Sequence, residues 1–306
     1  MRALLAAAVT AALVPLGACS LFPKHEEVWT PIPTRLGEAR PVEGDTAWVL
    51  SEPAYELVTL DRERLPDVKT ELDLAARTYR RVVGSEPRPV AVALADSVAQ
   101  LGRLDTTAYR RRGLLVVPVV APQPRRRSDE PMYSSLRAGL AGARVVPAAA
   151  RAWVRARGGE GVTLPEWLLE GATVLVAEPL LADVGPVLME RERSHVLPLA
   201  ELFTARVTPP ALAPGERRPV RRGVRADSVA VRRAESALAL QFLIERSGAP
   251  VVGRLLDAAR DAGNAASPAA LLAAAGVSPA SPDSLETPWR AWLAERREER
   301  GARRGM

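Results

Sequence analysis

The chain has 306 residues and only one cysteine, two histidines and two lysines. A single cysteine excludes an internal disulfide framework, and the scarcity of both cysteine and histidine excludes a Cys/His-rich zinc cluster. Lysine stands only at Lys24 and Lys69, so 40 of the 42 basic residues are arginine. With 27 prolines and an alanine-rich background, this is a compositional bias, and runs of arginine carry little functional weight by themselves. Against these shortages stand 47% hydrophobic and 25% charged residues. That balance excludes disorder throughout and predicts one sizeable globular domain, or two small ones.

The N-terminus reads as an export signal. Met1-Arg2 is a short positive start, and Ala3 to Val14 is an unbroken apolar and small-residue run, too short to span a bilayer. It ends in Leu16-Gly17-Ala18-Cys19, which resembles the lipobox of bacterial lipoproteins, cut before the cysteine and acylated on its thiol. The resemblance implies a signal peptide over 1–18, a lipid anchor on Cys19 and an envelope location. Ser20 rather than an aspartate at the next position points to the periplasmic face of the outer membrane over the inner one. Residues 19–43 carry Pro23, Pro31, Pro33 and Pro41 without any regular period, and they read as an extended tether reaching roughly 70 Å at about 3.1 Å per residue.

Two short β-prone stretches follow, Thr46 to Leu50 and Tyr55 to Leu60, parted by Glu52-Pro53. Apolar residues at Val68, Leu72, Ala75, Ala76, Tyr79, Val82 and Val83 predict an amphipathic helix that stops at Gly84. Pro89 to Leu94 and Gly113 to Val120 are valine-rich strands, the second placed at a sheet edge or strand end by Pro118. Beyond Pro131 the chain reads as helices with local start and stop signals. Thr163-x-x-Glu166 is a capping box, Gly248 with Pro250 is a stop, and Ser267-Pro268 is a start. Residues 206–227, rich in proline and arginine, read as a mobile insertion. The expected class is α+β and helix-rich: an α/β part over 44–160 and a helical part over 161–306.

The segment Leu164-Pro165-Glu166-Trp167-Leu168-Leu169-Glu170-Gly171-Ala172 resembles the LPxWLxEGxA signature of peptidase MA-like proteins, a branch of the gluzincin metallopeptidases. The resemblance implies a zincin-like fold, with Glu170 at the place of the third zinc ligand. The other two ligands are histidines of an upstream H-E-x-x-H, whose i, i+4 spacing puts both imidazoles on one helix face. Eighteen residues before Glu170 the motif window falls on Pro147-Ala148-Ala149-Ala150-Arg151. Pro147 and Arg151 occupy the histidine positions, and Ala148 replaces the general base. The helix Ala234 to Gly248 resembles a later family helix whose tyrosine assists the transition state, and Arg233 falls on that tyrosine. His25 lies in the tether, and His195 with Glu170 cannot rebuild a three-ligand site.

Proline costs about 3 kcal/mol inside a helix, so the degenerate helix is expected to start near Pro147. Arg151 would then project beside Glu170 and form a salt bridge in place of zinc, the pair lining a relic cleft. Trp153, Trp167, Trp289 and Trp292 are expected in the core. No G-x-S-x-G elbow is present. Together these features predict no cofactor, no metal, no nucleic-acid partner and no catalytic residue. The predicted function is that of a pseudopeptidase lipoprotein that binds a peptide or protein. The alternatives are an active metal-dependent or divergent peptidase and a structural lipoprotein with a filled cleft.

Overall fold

The computed structural model describes residues 30–33, 46–104, 106–121, 132–159, 161–177, 196–205 and 224–304. Cys19, His25, His195 and most of the predicted 206–227 insertion lie outside them.

Five strands form one mixed sheet in the order β1 (Thr30–Pro33), β2 (Thr46–Glu52), β3 (Tyr55–Thr59), β4 (Val90–Ala95) and β5 (Leu115–Val120). The first three are antiparallel, with Glu52 opposite Tyr55 closing a two-residue hairpin turn, and β3, β4 and β5 run parallel. Parallel neighbours need crossovers, and helices supply them. The first is α1 (Leu65–Val83); the second contains the short helices α2 (Val98–Leu101) and α3 (Thr107–Arg111).

β4 reads VAVALA and is buried along its whole length, as a central strand covered on both faces should be. Its alternate side chains part into two layers. Val90, Val92 and Leu94 join the main core, while Ala91 and Ala93 meet Val58, Leu104 and Tyr109 in a small second cluster. α1 packs its Val68, Leu72, Ala75, Ala76 and Tyr79 stripe into the main core and ends at Gly84, whose φ of 78° suits a residue without a Cβ. β5 is the sheet edge, so Pro118 withholds no N–H that a further strand would need.

α4 (Met132–Gly158) and α5 (Glu166–Ala177) follow. Then come α6 (Leu199–Leu202), α7 (Val224–Ser247), α8 (Val251–Ala262), α9 (Pro268–Ala274) and α10 (Pro282–Arg304). One apolar core is continuous from Leu50 to Leu293, and the change from mixed sheet to helices comes between β5 and α4. Trp153, Trp167 and Trp289 are fully buried. Trp292 is partly buried and stacks on Trp289 at 5.5 Å. Among the described residues no helix is long and apolar enough to cross a membrane.

Four expectations need correction. The 19–43 stretch is not a continuous tether, because Thr30–Pro33 pairs with β2. Two prolines in four residues hide the strand from pattern reading, yet an edge position tolerates them. α4 does not start at Pro147, which lies inside it. Val145, Val146, Ala149 and Ala150 on either side are buried, and that packing outweighs the lost hydrogen bond. α7 begins at Val224 and so takes in the last residues assigned to the insertion, through a segment whose arginines mask its periodicity. Finally, the first helical acceptor of α5 is the carbonyl of Pro165, which takes the N–H groups of Leu168 and Leu169. Thr163 therefore precedes the cap, and its N–H donates to Asn264 Oδ1 at 2.7 Å instead.

The embedded proline gives a direct expectation. Pro147→Ala restores the missing N–H, and part of that gain is lost to the freer unfolded chain. Stability should rise by about 1–2 kcal/mol, read from urea unfolding.

Candidate functional site

The site is built by three helices. α4 carries Arg151 and, one turn later, Arg155; α5 carries Glu170; α7 carries Arg233. α5 is almost wholly apolar from Trp167 to Val176, and Trp167 packs on Phe203 with ring centroids 4.2 Å apart. That burial takes Glu170 inward with its neighbours, leaving it only 2% exposed. Gly171 lets α5 and α7 cross closely, because a Cβ there would stand 2.6 Å from the Ser236 carbonyl oxygen. The close crossing sets the Glu170 carboxylate against the turn of α7 that carries Arg233.

A carboxylate in such a place must be paired or neutralised. Arg151 Nη1 donates to Glu170 Oε1, and Arg233 Nε donates to Oε2 at 3.2 Å. Each oxygen thus has its own guanidinium, from a different helix. The Arg151 and Arg233 side chains remain 34% and 24% exposed, so the cations keep contact with water while the anion does not. The Arg151 pairing follows from the register count. Arg233 was expected only as a lost tyrosine, and its role as a second partner was not legible, since nothing in the sequence fixes the rotation of α7 against α5. Arg155 was also missed; its i, i+4 spacing from Arg151 is the signal that could have found it. Burial, and next the charge of Arg151, pull the Arg155 guanidinium below its ordinary value, opposed by Glu170.

Of the remaining positions, Pro147 and Ala148 sit half-buried on α4, and Ala148 packs against the main core. The zinc that the family resemblance implies would need electron-pair donors around one point. Here the Glu170 oxygens are taken by two cations that donate nothing to a metal and repel it. Among the described residues no group of three His, Cys, Asp or Glu side chains is placed to hold an ion. These residues do not fit zinc.

A second buried carboxylate lies two residues along α7 from Arg233. Glu235 is 0% exposed, pairs with Arg232 at 2.6 Å and accepts the Leu197 N–H at 3.2 Å. Burial pushes its carboxyl above the ordinary 4.5, and Arg232 opposes the shift without cancelling it. The folded state therefore holds this proton more tightly than the unfolded chain. The resulting contribution is full below pH 4.5 and is lost as pH rises through the folded-state value. Glu235→Gln should remove that component, flattening the plot of urea midpoint against pH from 4.5 upward.

Concavities lined by described residues include two that lie elsewhere. One, of about 280 Å³, lies at the carboxyl ends of β3 and β4 beside Asp61, Arg64 and Asp96. A groove of about 750 Å³ runs between α7 and α10 past Phe242 and Trp292. Neither adjoins the arginine cluster. The chain matches no protein-family model, no curated protein and no solved structure.

Proposed function

We propose that this chain is an envelope lipoprotein whose gluzincin-like domain has exchanged its metal centre for an ion-pair cluster, and that it works by binding a peptide or protein without hydrolysing it. The observation that carries this reading is Glu170 held between Arg151 and Arg233. Both arginines stand where the resemblance assigns catalytic groups, a zinc histidine and the assisting tyrosine, and both converge on the residue assigned as the third ligand. Two independent replacements that meet on one retained carboxylate suit a retained fold given a non-catalytic task. The mixed sheet followed by two packed helices, the first bearing the degenerate window and the second the glutamate, is consistent with a zincin-like architecture.

β5 supports the binding mode. In active zincins an edge strand beside the cleft pairs with substrate backbone, a mode that needs no metal. β5 is an edge strand, and the Arg144 side chain of α4 reaches its Val120 carbonyl at 2.8 Å.

The anchor belongs to the same proposal. With Thr30 already in the sheet, the chain between it and Cys19 reaches roughly 35 Å at about 3.1 Å per residue, which holds the domain close to the lipid surface. Cys19→Ser should move the protein from the membrane fraction to the soluble fraction of fractionated cells. Incubation of the full chain with a peptide library, with products read by mass spectrometry, should give no cleavage above a buffer control. Sequence-specific turnover would overturn the non-enzymatic reading.

A further inference from the structure

Arg151 and Arg155 share one face of α4, and Arg233 approaches Glu170 from α7. Arg151 and Arg233 both bond to the Glu170 carboxylate, each on its own oxygen. Arg155 makes no hydrogen bond or ion pair among the described residues, although its charge is felt by both Arg151 and Glu170. Arg151 is joined to Glu170 through one terminal nitrogen and its side chain is 34% exposed, so its other donors remain available. On one side of the buried carboxylate there is thus a partly exposed pair of guanidiniums that Glu170 alone does not neutralise.

We infer that Arg151 and Arg155 form a carboxylate-binding site, which takes the acidic group of a peptide ligand. This rests on the peptide-binding reading above and names the chemistry that such a ligand must carry. A planar guanidinium fork matches a carboxylate with two parallel hydrogen bonds, the same pairing that Glu170 makes from the protein side. An incoming carboxylate that accepts from Arg155 and from the free donors of Arg151 would give Arg155 the anionic partner it lacks among the described residues. It also relieves the repulsion between the two arginines.

The carboxylate could be a chain terminus or an acidic side chain, and three probes separate the sources. These are N-acetyl-Ala-Ala-Leu with a free C-terminal carboxylate, its C-terminal amide, and N-acetyl-Ala-Glu-Ala amide. Each is titrated calorimetrically into the full chain in detergent at low salt. At least one acid-bearing probe should bind and the neutral amide should not. Arg155→Ala, a change at an exposed position, should weaken that binding about tenfold while leaving the unfolding midpoint unchanged. Added salt should weaken it further. Binding of the free acid alone assigns the site to chain termini; binding of the glutamate peptide assigns it to side chains. Equal binding of acid and amide, indifference to Arg155→Ala, or no binding of any probe overturns the inference. Cleavage of a probe would instead overturn the non-enzymatic reading and leave the carboxylate site standing, so the two failures are distinguishable.

Discussion

Glu170→Gln is expected to lower the stability of the protein by about 3 kcal/mol, and its melting temperature by about 6–12 °C for a domain of this size. The amide keeps the volume of the side chain but removes the one negative charge that two guanidiniums share. Arg151 and Arg233 are then left facing each other across a buried neutral group. Removing one member of a buried pair typically costs 3–5 kcal/mol; the lower end applies because both arginines keep contact with water and can turn outward. Arg151→Met should cost less, about 1–2 kcal/mol, since Arg233 still neutralises the carboxylate. The asymmetry is the informative part. If Glu170→Gln and Arg151→Met cost the same few tenths of a kcal/mol in urea titrations, Glu170 is solvated and the cluster is not a structural replacement for anything.

The second large effect is expected one residue along. Gly171→Ala should destabilise by about 3 kcal/mol, at the upper end of what overpacking costs. The added methyl would meet the carbonyl carbon and oxygen of Ser236 at 2.8 and 2.6 Å, and these are backbone atoms within α7 that cannot turn aside. To admit the methyl, the helices must part along their closest crossing. Because α5 and α7 carry the carboxylate and one of its cations, the same displacement should stretch the Arg233 pairing. Gly171→Ala should therefore also reduce the further cost of removing Glu170. A double-mutant cycle reads this as a coupling of about 1 kcal/mol between residues 170 and 171, measured through unfolding free energies. Additive costs would mean that the crossing and the ion pair are independent. The glycine after Glu170 thus has a mechanical reason to be there.

Much of the fold was legible because its elements keep strong local patterns. The stripe of α1, its stop at Gly84, the buried β4 and the edge position of Pro118 each follow from residue type and spacing. The Arg151 contact was legible for a different reason: a fixed count back from Glu170 placed one cation in register with one anion. What the sequence concealed depends on packing at a distance. Pro147 argues locally for a helix start, yet Val145, Val146, Ala149 and Ala150 are buried around it, and α4 continues through. Thr30–Pro33 argues locally for an extended linker, yet β2 offers it an edge. Arg233 could be placed on a helix, but its approach to Glu170 depends on how closely α7 crosses α5, and Gly171 sets that distance.

Metal content is the most direct measure of the central claim that an ion-pair cluster occupies the place of a catalytic centre. The full chain, purified after expression in zinc-supplemented medium and dialysed without chelator, is assayed by inductively coupled plasma mass spectrometry beside the Glu170→Gln variant. The account predicts far less than one zinc per chain in both, since the guanidiniums of Arg151 and Arg233 occupy the only carboxylate assigned to a metal. One zinc per chain in the parent protein, lost in Glu170→Gln, would contradict it.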